Sequence, residues 1–318
     1  MNVAMPEVDG RILSRAVSFK TLRARDPLTE ADIVDYKPVQ DRIEFVASLA
    51  AAWVKLRRAS ASDRRVVLVL ANYPNRDARI GNGVGLDTPA STVEVLAALE
   101  EAGYRVDGRP ADGAALMARL LSGPTNAASD RAATVMLPLE RYRAWLADQV
   151  PETRTTIDER WGDAASDPFV RDGSFALPVH LFGNVAVAVQ PARGYNIDSE
   201  ASYHDPDLVP PHGYLAFHLW LREVFGAQAV VHLGKHGNLE WLPGKATALS
   251  QLCWPEIALG ALPNLYPFIV NDPGEGTQAK RRAGAVIVDH LTPPLTRAGS
   301  YGALADLEHL IEIGRAHV

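Results

Sequence analysis

The chain has 318 residues, which is enough for one large domain or two smaller ones, and its 47% hydrophobic and 22% charged residues are ordinary for a globular protein. A formal net charge of -6 argues against a general nucleic-acid or anionic-membrane surface. The single cysteine excludes an internal disulfide, and no apolar run approaches the roughly 20 residues that cross a bilayer, so we expect a cytoplasmic protein with no membrane span.

Residues 1–150 are predicted to form a first α/β unit. Val66–Leu70 is a short, continuous apolar run, which is typical of a buried parallel strand. The polar loop at 71–87 follows the carboxyl end of this strand, where open α/β sheets bind ligands, so the loop is a candidate site. Glu7 is expected in a solvated turn and Glu44 on a helix surface. The other expected elements are a strand near 16–19 and helices at 41–58, 88–103, 116–121 and 139–150.

A second α/β unit is expected over residues 176–312, after a polar stretch at 151–175 that we interpret as an excursion or a domain seam. The segment 191–212 has no periodicity and is a candidate site loop. The glycine loop at 271–277 precedes a cationic helix, and such a helix start binds anions. The other expected elements are a hairpin around Gly183 and Asn184, helices at 214–225 and 255–259, and strands at 229–233 and 265–270. The predicted fold class is α/β, with Rossmann-like parallel or mixed sheets, flanking helices and long site loops.

Three potential metal ligands recur every four residues: His232, His236 and Glu240. On a helix they would share one face, but Gly234 and Gly237 argue against a helix, so we expect them on a strand end and its loop. Imidazole and carboxylate together suit Co(II), Zn(II) or Fe(II). The alternative is a pair of hydrogen-bonded histidines that cap a loop.

Several common catalytic motifs are absent from the sequence. It contains no phosphate-binding Walker A loop, no nucleophile elbow and no dinucleotide fingerprint. The sequence therefore predicts no ATP site in this chain. Aromatic residues and cations are frequent in the second half, where they would suit a flat ligand that carries carboxylates.

Long stretches of the chain resemble one known family. They include PEVDGRILSRAVSFK, VLANYPNRDARIGNGVGLDTPAS, VVHLGKHGNLEWLPGKATALS and YPFIVNDPGEGTQAKRRAGAVIVDHLTPPLTRAG. These are similar to the large subunit of cobaltochelatase, the CobN family, which is related to the porphyrin-binding H subunit of magnesium chelatase. The segment HLGKHGNLEWLPGK resembles the cobalt branch. Family members are much longer, so the resemblance implies an interior fragment, and residues 313–318 depart from the family and resemble a non-native tail.

The resemblance implies ATP-dependent insertion of Co(II) into hydrogenobyrinic acid a,c-diamide during aerobic cobalamin biosynthesis. ATP and Mg(II) would be used by a separate AAA+ ATPase subunit, and a second partner would be a metal-binding-motif subunit of the von Willebrand type. Alternatives are a magnesium chelatase H-type subunit that inserts Mg(II) into protoporphyrin IX, and a non-catalytic tetrapyrrole-binding protein. The His/Glu spacing alone would also fit a zinc hydrolase.

The resemblance also suggests roles for particular residues. The metal ligands would be His232, His236 and Glu240. The catalytic residues, including acids that accept the pyrrole protons, would be Glu7, Glu44, His236 and Glu240. The residues that bind the substrate would be Asn72, Arg76, Asn196, His204, Asn238, Lys245, Asn271, Glu275, Lys280 and Arg281.

Overall fold

The computed structural model describes residues 3–73, 75–83, 86–194, 205–267 and 273–288, together with residues 307 and 310. Three of the predicted substrate-binding residues, Asn196, His204 and Asn271, lie outside the described residues, as does the predicted tail at 313–318.

The described strands are short, and most follow the apolar runs of the sequence. They are β1 Ser18–Arg25, β2 Asp32–Pro38, β3 Val66–Leu70, β4 Asn82–Gly83, β5 Leu86–Asp87, β6 Val135–Pro138, β7 Val170–Arg171, β8 Ser174–Leu177, β9 Val179–Phe182, β10 Val185–Val189, β11 Ala229–Leu233, β12 Asn264–Pro267 and β13 Val286–Val288.

The helices alternate with these strands through much of the chain, as in an α/β fold. They are α1 Ala4–Val8, α2 Gln40–Arg58, α3 Thr88–Glu101, α4 Gly113–Leu121, α5 Leu139–Ala147, α6 Pro151–Trp161, α7 His212–Leu219, α8 Trp254–Leu259 and α9 Pro273–Ala283. A π-helical turn, Trp220–Val224, extends α7.

A six-stranded sheet with the order β13-β12-β11-β3-β10-β9 organises the chain. All neighbouring pairs are parallel except β9 and β10, which form the predicted antiparallel hairpin. All five residues of β3 are buried because both faces of the sheet are covered, as the continuous apolar run indicated. The α/β fold class is therefore confirmed.

The two faces of the central sheet pack against different helices. Leu68 and Leu70 of β3 pack with Leu96 of α3 and with residues of α4 in one core cluster. Val67 and Val69 belong to a second cluster with residues of α5, α7 and α8, among them Phe217. This alternation follows from the two-residue period of a strand.

The structure differs from the local predictions in several places. Glu7 lies in the short helix α1, not in a simple turn. Of the hairpin formed by β1 and β2, only a strand near 16–19 was predicted, because its sequence lacks a clear alternation of apolar and polar residues. The polar stretch at 151–175 begins with α6, whose Ile157 is buried. The division into units at 1–150 and 176–312 stays a prediction, although strands from both ranges lie in the one central sheet.

Among the described residues, no helix combines the length and the apolar character that a bilayer crossing requires.

Candidate functional site

The candidate site lies at the carboxyl edge of the central sheet, where β3, β10 and β11 end side by side. A pocket of about 670 Å³ opens there, within the roughly 300–1,000 Å³ that is typical of small-molecule sites. It is lined by Asn72, Tyr73, Asn75, Gln190, Arg193, Pro206, His236, Gly237, Asn238, Trp241, Gly244, Ala246, Glu275, Gln278 and Arg282. The loop after each strand therefore contributes, as expected for an α/β fold.

His236 is held by a buried carboxylate. Its Nδ1 forms a hydrogen bond with Oε2 of Glu275, which comes from α9. Oε1 of Glu275 accepts hydrogen bonds from the Tyr266 hydroxyl at 2.8 Å and from the Gly237 N–H at 3.3 Å. The His236 side chain is 38% exposed and lines the pocket, so Nε2 is the ring nitrogen left to meet a ligand.

A network of amides fixes the other side of the pocket. The Asn126 Nδ2 donates to Oδ1 of Asn72 at 2.7 Å and to the Gln190 carbonyl at 2.8 Å. Gln190 in turn donates from Nε2 to the His236 carbonyl at 3.2 Å. Asn238 donates to the Pro191 carbonyl at 2.7 Å. Asn72 and Asn238 were predicted site residues, whereas Asn126 and Gln190 carry no local sequence signal and were missed.

A smaller cavity of about 30 Å³ lies next to the pocket, and Gln190 and Asn238 line both. His218, His232 and Glu240 are among the residues that line this inner cavity. Because a cavity needs about 10–15 Å³ to hold a water, the inner cavity has room for one or two.

The ionisable groups of the inner cavity are held in their neutral forms. Burial, with a contribution from the charge of Glu275, raises the pKa of Glu240 to about 8. Burial also lowers the pKa of His232 to about 4, although Glu275 opposes this shift. Oε1 of Glu240 and Nε2 of His232 are buried without a hydrogen-bond partner in the part of the chain that the structure describes. Such atoms are costly in a fold and are often functional.

The predicted metal ligands are divided between the two spaces. His232 and Glu240 line the inner cavity, and His236 lines the pocket. Among the described residues, no three histidine, cysteine, aspartate or glutamate side chains lie close enough to hold a metal ion. The four-residue spacing did not place the triad together because β11 ends at Leu233 and the following loop turns His236 toward α9. Their role as ligands stays a proposal.

Arg282 braces the loop that carries Glu240. Its guanidinium donates to the backbone carbonyls of Glu240 and Leu242, each at 2.6 Å, and of Lys245 at 3.0 Å. The Lys245 side chain is exposed, so only its backbone takes part in this contact. Arg282 belongs to the cationic helix that was predicted to follow the glycine loop at 271–277, and its guanidinium is used here to hold the protein's own backbone.

Other predicted site residues lie outside the pocket lining. Glu7 pairs with Arg281 through both carboxylate oxygens, at 2.7 and 3.2 Å, and its carbonyl accepts from Lys280 at 3.1 Å. Glu44 is exposed on α2 and accepts from Gln40. Arg76 is exposed, and its carbonyl accepts from Asn72 at 2.9 Å. The catalytic and substrate-binding roles of these residues stay predictions.

Comparison with known proteins shows where this arrangement belongs. The chain is 61% identical over 313 residues to the aerobic cobaltochelatase subunit CobN of a Sinorhizobium species and 54% identical over 315 residues to that of Pseudomonas aeruginosa. It is 32% identical over 320 residues to the magnesium-chelatase H subunit of Rhodobacter capsulatus. These alignments cover 97–98% of the chain but only 24–26% of each relative, so the chain spans about a quarter of their length.

The solved structures give the same result. The catalytic subunit of cobaltochelatase from Mycobacterium tuberculosis matches 99% of this chain and 26% of its own, with a TM-score of 0.79 and 44% sequence identity. The family model described as CobN/Magnesium Chelatase matches residues 1–316. The chain therefore belongs to the CobN/magnesium chelatase family.

Proposed function

We propose that the longer protein of which this chain forms about a quarter inserts Co(II) into hydrogenobyrinic acid a,c-diamide during cobalamin biosynthesis. In this proposal a separate AAA+ ATPase partner hydrolyses ATP with Mg(II), and a von Willebrand-type metal-binding-motif subunit completes the complex. The higher identity to the CobN subunits than to the magnesium-chelatase relative favours Co(II) over Mg(II) as the substrate metal. The cytoplasmic location expected from the sequence is part of the same proposal.

The observation that carries the proposal is the pairing of a large pocket with buried neutral proton-transfer groups. Trp241 and Tyr73 line the pocket and are placed to contact the macrocycle, and the hydrogen-bonded amides of Asn72 and Asn238 form part of the same wall. Directly behind lies the inner cavity with Glu240. A tetrapyrrole needs such a combination because its ring must be held while two pyrrole protons leave.

His236 is suited to meet the incoming metal. The Glu275 carboxylate at Nδ1 orients the ring and leaves Nε2 toward the pocket. A metal substrate on its way into a ring does not need a closed three-ligand site, because the macrocycle itself supplies nitrogen ligands. The absence of a three-residue cluster among the described side chains is therefore compatible with this role.

Glu240 is suited to take a proton once the metal arrives. With a pKa of about 8 it is largely protonated at pH 7. A dication that approaches favours the ionised carboxylate, so the carboxyl proton is released to water and the carboxylate then accepts a proton from the ring. His232, neutral at pH 7 because its pKa is about 4, offers a second acceptor in the same cavity. We propose these two residues, rather than the exposed acid Glu44, as the proton acceptors.

Ring binding by this chain can be tested by fluorescence, because Trp241 lines the pocket. We expect hydrogenobyrinic acid a,c-diamide to quench the emission of the 318-residue protein. Because the chain has six tryptophans, Trp241→Phe should remove only the part of the quenching that Trp241 contributes, and this loss should exceed that in Trp53→Phe, which alters a residue of α2 away from the lining. Equal quenching in both variants would contradict a ring seated in this pocket.

Insertion itself requires the full-length protein with its ATPase partners. We expect His236→Ala and Glu240→Gln to lower the rate of Co(II) insertion at least 100-fold, since both alter a group proposed to act on the metal or the proton. Glu94→Gln, at an exposed position of α3, is the matched control. Faster insertion of Mg(II) into protoporphyrin IX than of Co(II) into its ring would favour the magnesium chelatase alternative, and ring binding without any insertion would favour a binding protein.

A further inference from the structure

A second pocket lies at the opposite edge of the central sheet. It has a volume of about 210 Å³ and includes Lys55 of α2, Arg222 of the π-helical turn and Gln228 in its lining. Gln228 immediately precedes β11 and Leu262 precedes β12, so this pocket is at the amino ends of strands whose carboxyl ends face the candidate site. We call it the amino-edge pocket. The proposed function gives it no role.

Arg222 is the less exposed of the two cations that line the amino-edge pocket. Its Nε and Nη2 atoms are buried and have no partner in the described part of the chain. The neighbouring acid, Glu223, instead pairs with Arg141 through its carboxylate and its carbonyl. The contact of the guanidinium with the Trp145 ring, 5.8 Å from its centroid, does not replace a hydrogen-bond acceptor. A buried edge of a guanidinium without an acceptor is unfavourable, which makes it an attractor for an anion.

The rest of the lining adds positive charge and no acid. It consists of Ala52, Lys55, Ala227, Gln228, Ala261 and Leu262. The Lys55 side chain is exposed and makes no ion pair within the described residues. Gln228 accepts the Arg65 N–H through Oε1 at 3.1 Å, so its amide nitrogen remains as a donor. Burial lowers the pKa of Arg222 and the charge of Glu223 opposes this shift, as an anion bound in the pocket would also do.

The size of the pocket restricts what can enter. At about 210 Å³ it is smaller than the roughly 300 Å³ at which small-molecule sites begin. An inorganic anion or one acidic side chain would fit, whereas a nucleotide or a macrocycle would not. Guanidinium groups recognise planar carboxylates and phosphates through paired N–H donors; the Nε and Nη2 of Arg222 are such a pair, and because both atoms are buried, the side chain has to turn toward the pocket for an anion to reach them.

We propose that the amino-edge pocket binds an oxyanion, either phosphate or carboxylate, between Arg222 and Lys55. Two sources offer this chemistry: a free anion in solution, or an acidic side chain from another part of the longer protein. The site is separate from the candidate functional site and does not depend on the proposed chelatase activity.

Titration with inorganic phosphate at constant ionic strength, with chloride as the balancing anion, tests the site in the 318-residue protein. We expect phosphate to raise the unfolding temperature of the wild type. Lys55→Gln should weaken the phosphate affinity at least tenfold and Arg222→Gln at least as much, while Arg58→Gln, another exposed cation of α2, should leave it unchanged. Because Arg222→Gln alters a buried residue and could impair folding, the comparison of Lys55→Gln with Arg58→Gln suffices for the test.

Modification of Arg222 by phenylglyoxal, followed by peptide mass analysis, distinguishes the sources. Protection by phosphate in the 318-residue protein supports a free anion. Protection in the full-length protein without added phosphate supports an acidic side chain from the same protein. A free anion is ruled out if phosphate has no more effect than chloride, or if it stabilises Lys55→Gln as much as the wild type. If, in addition, Arg222 stays reactive toward phenylglyoxal in the full-length protein, the proposal is wrong.

Discussion

Replacing Glu240 by glutamine should stabilise the protein at neutral pH, although it removes a proposed proton acceptor. In the folded state the pKa of Glu240 is raised from 4.5 to about 8. The folded protein therefore binds a proton more tightly than the unfolded chain, and its stability falls as pH rises from about 4.5 to about 8. At about 1.4 kcal/mol per pKa unit, ionisable Glu240 costs about 3 kcal/mol at pH 7 and under about 1 kcal/mol at pH 5.

Glutamine cannot ionise, so Glu240→Gln removes this dependence. Urea denaturation at pH 5, 6, 7 and 8 measures the free energy of unfolding of both proteins. We expect the advantage of Glu240→Gln to grow by roughly 2–3 kcal/mol from pH 5 to pH 7, or about 1 M in the urea midpoint for an m-value of about 3 kcal/mol/M. Burying the glutamine side chain has a cost that does not depend on pH, so this cost cancels when the values at pH 5 and pH 7 are subtracted. Exposed Glu94, changed to glutamine, is the control and should follow the wild type. Parallel curves for Glu240→Gln and wild type would refute the argument that burial keeps this carboxyl protonated.

Three further changes test other parts of the structure. Burial lowers the pKa of His218 from 6.5 to about 4, so the free energy of unfolding falls as pH falls from 6.5 toward 4. In urea denaturation, His218→Gln should therefore recover about 2 kcal/mol of this free energy at pH 5 and nothing at pH 8. Glu256 is buried and pairs with buried Arg42 at 2.7 Å, so Glu256→Gln should lower the free energy of unfolding by about 3–5 kcal/mol, and a loss under about 1 kcal/mol would show that the pair is solvated. A Cβ at Gly237 would lie 2.5 Å from Oε1 of Glu240. Gly237→Ala should therefore destabilise the protein by about 1–3 kcal/mol and weaken the pH dependence of stability that Glu240 imposes. Unchanged thermal unfolding would contradict this contact.

The elements that the sequence predicted well are those whose signals are local. The five apolar residues of β3 and the basic last turn of α2 need no distant partner to be recognised. The β1–β2 hairpin was largely missed because its strands are almost entirely exposed and carry no alternation between apolar and polar residues. The local pattern of apolar and polar residues therefore identified strands and helices in which buried positions recur regularly. It failed for strands such as β1 and β2, which have almost no buried positions.

The candidate site shows the same limit. His232, His236 and Glu240 were recognised by their spacing, but spacing cannot tell that two of them line an inner cavity and one a larger pocket. The partner of His236 is Glu275, 39 residues along the chain, which the sequence suggested only as a substrate-binding residue. Asn126 was missed altogether because the partners of its side chain are distant in sequence: Asn72 is 54 residues away, and the carbonyl of Gln190 is 64 residues away.

The position of β3 in the central sheet has a consequence for biosynthesis. This strand, the most apolar of the first half, pairs with β10 and β11, and its residue Val66 meets Ala229 roughly 160 residues later. The first of these partners, β10, begins about 120 residues after Val66, so at a translation rate of about 5–20 residues per second β3 would wait roughly 6–24 s on the ribosome before β10 is made. Pairings of such long range make folding slow, so the nascent chain would expose an unpaired hydrophobic strand throughout this interval. We therefore expect truncated forms that end before β10 to aggregate unless a chaperone holds them.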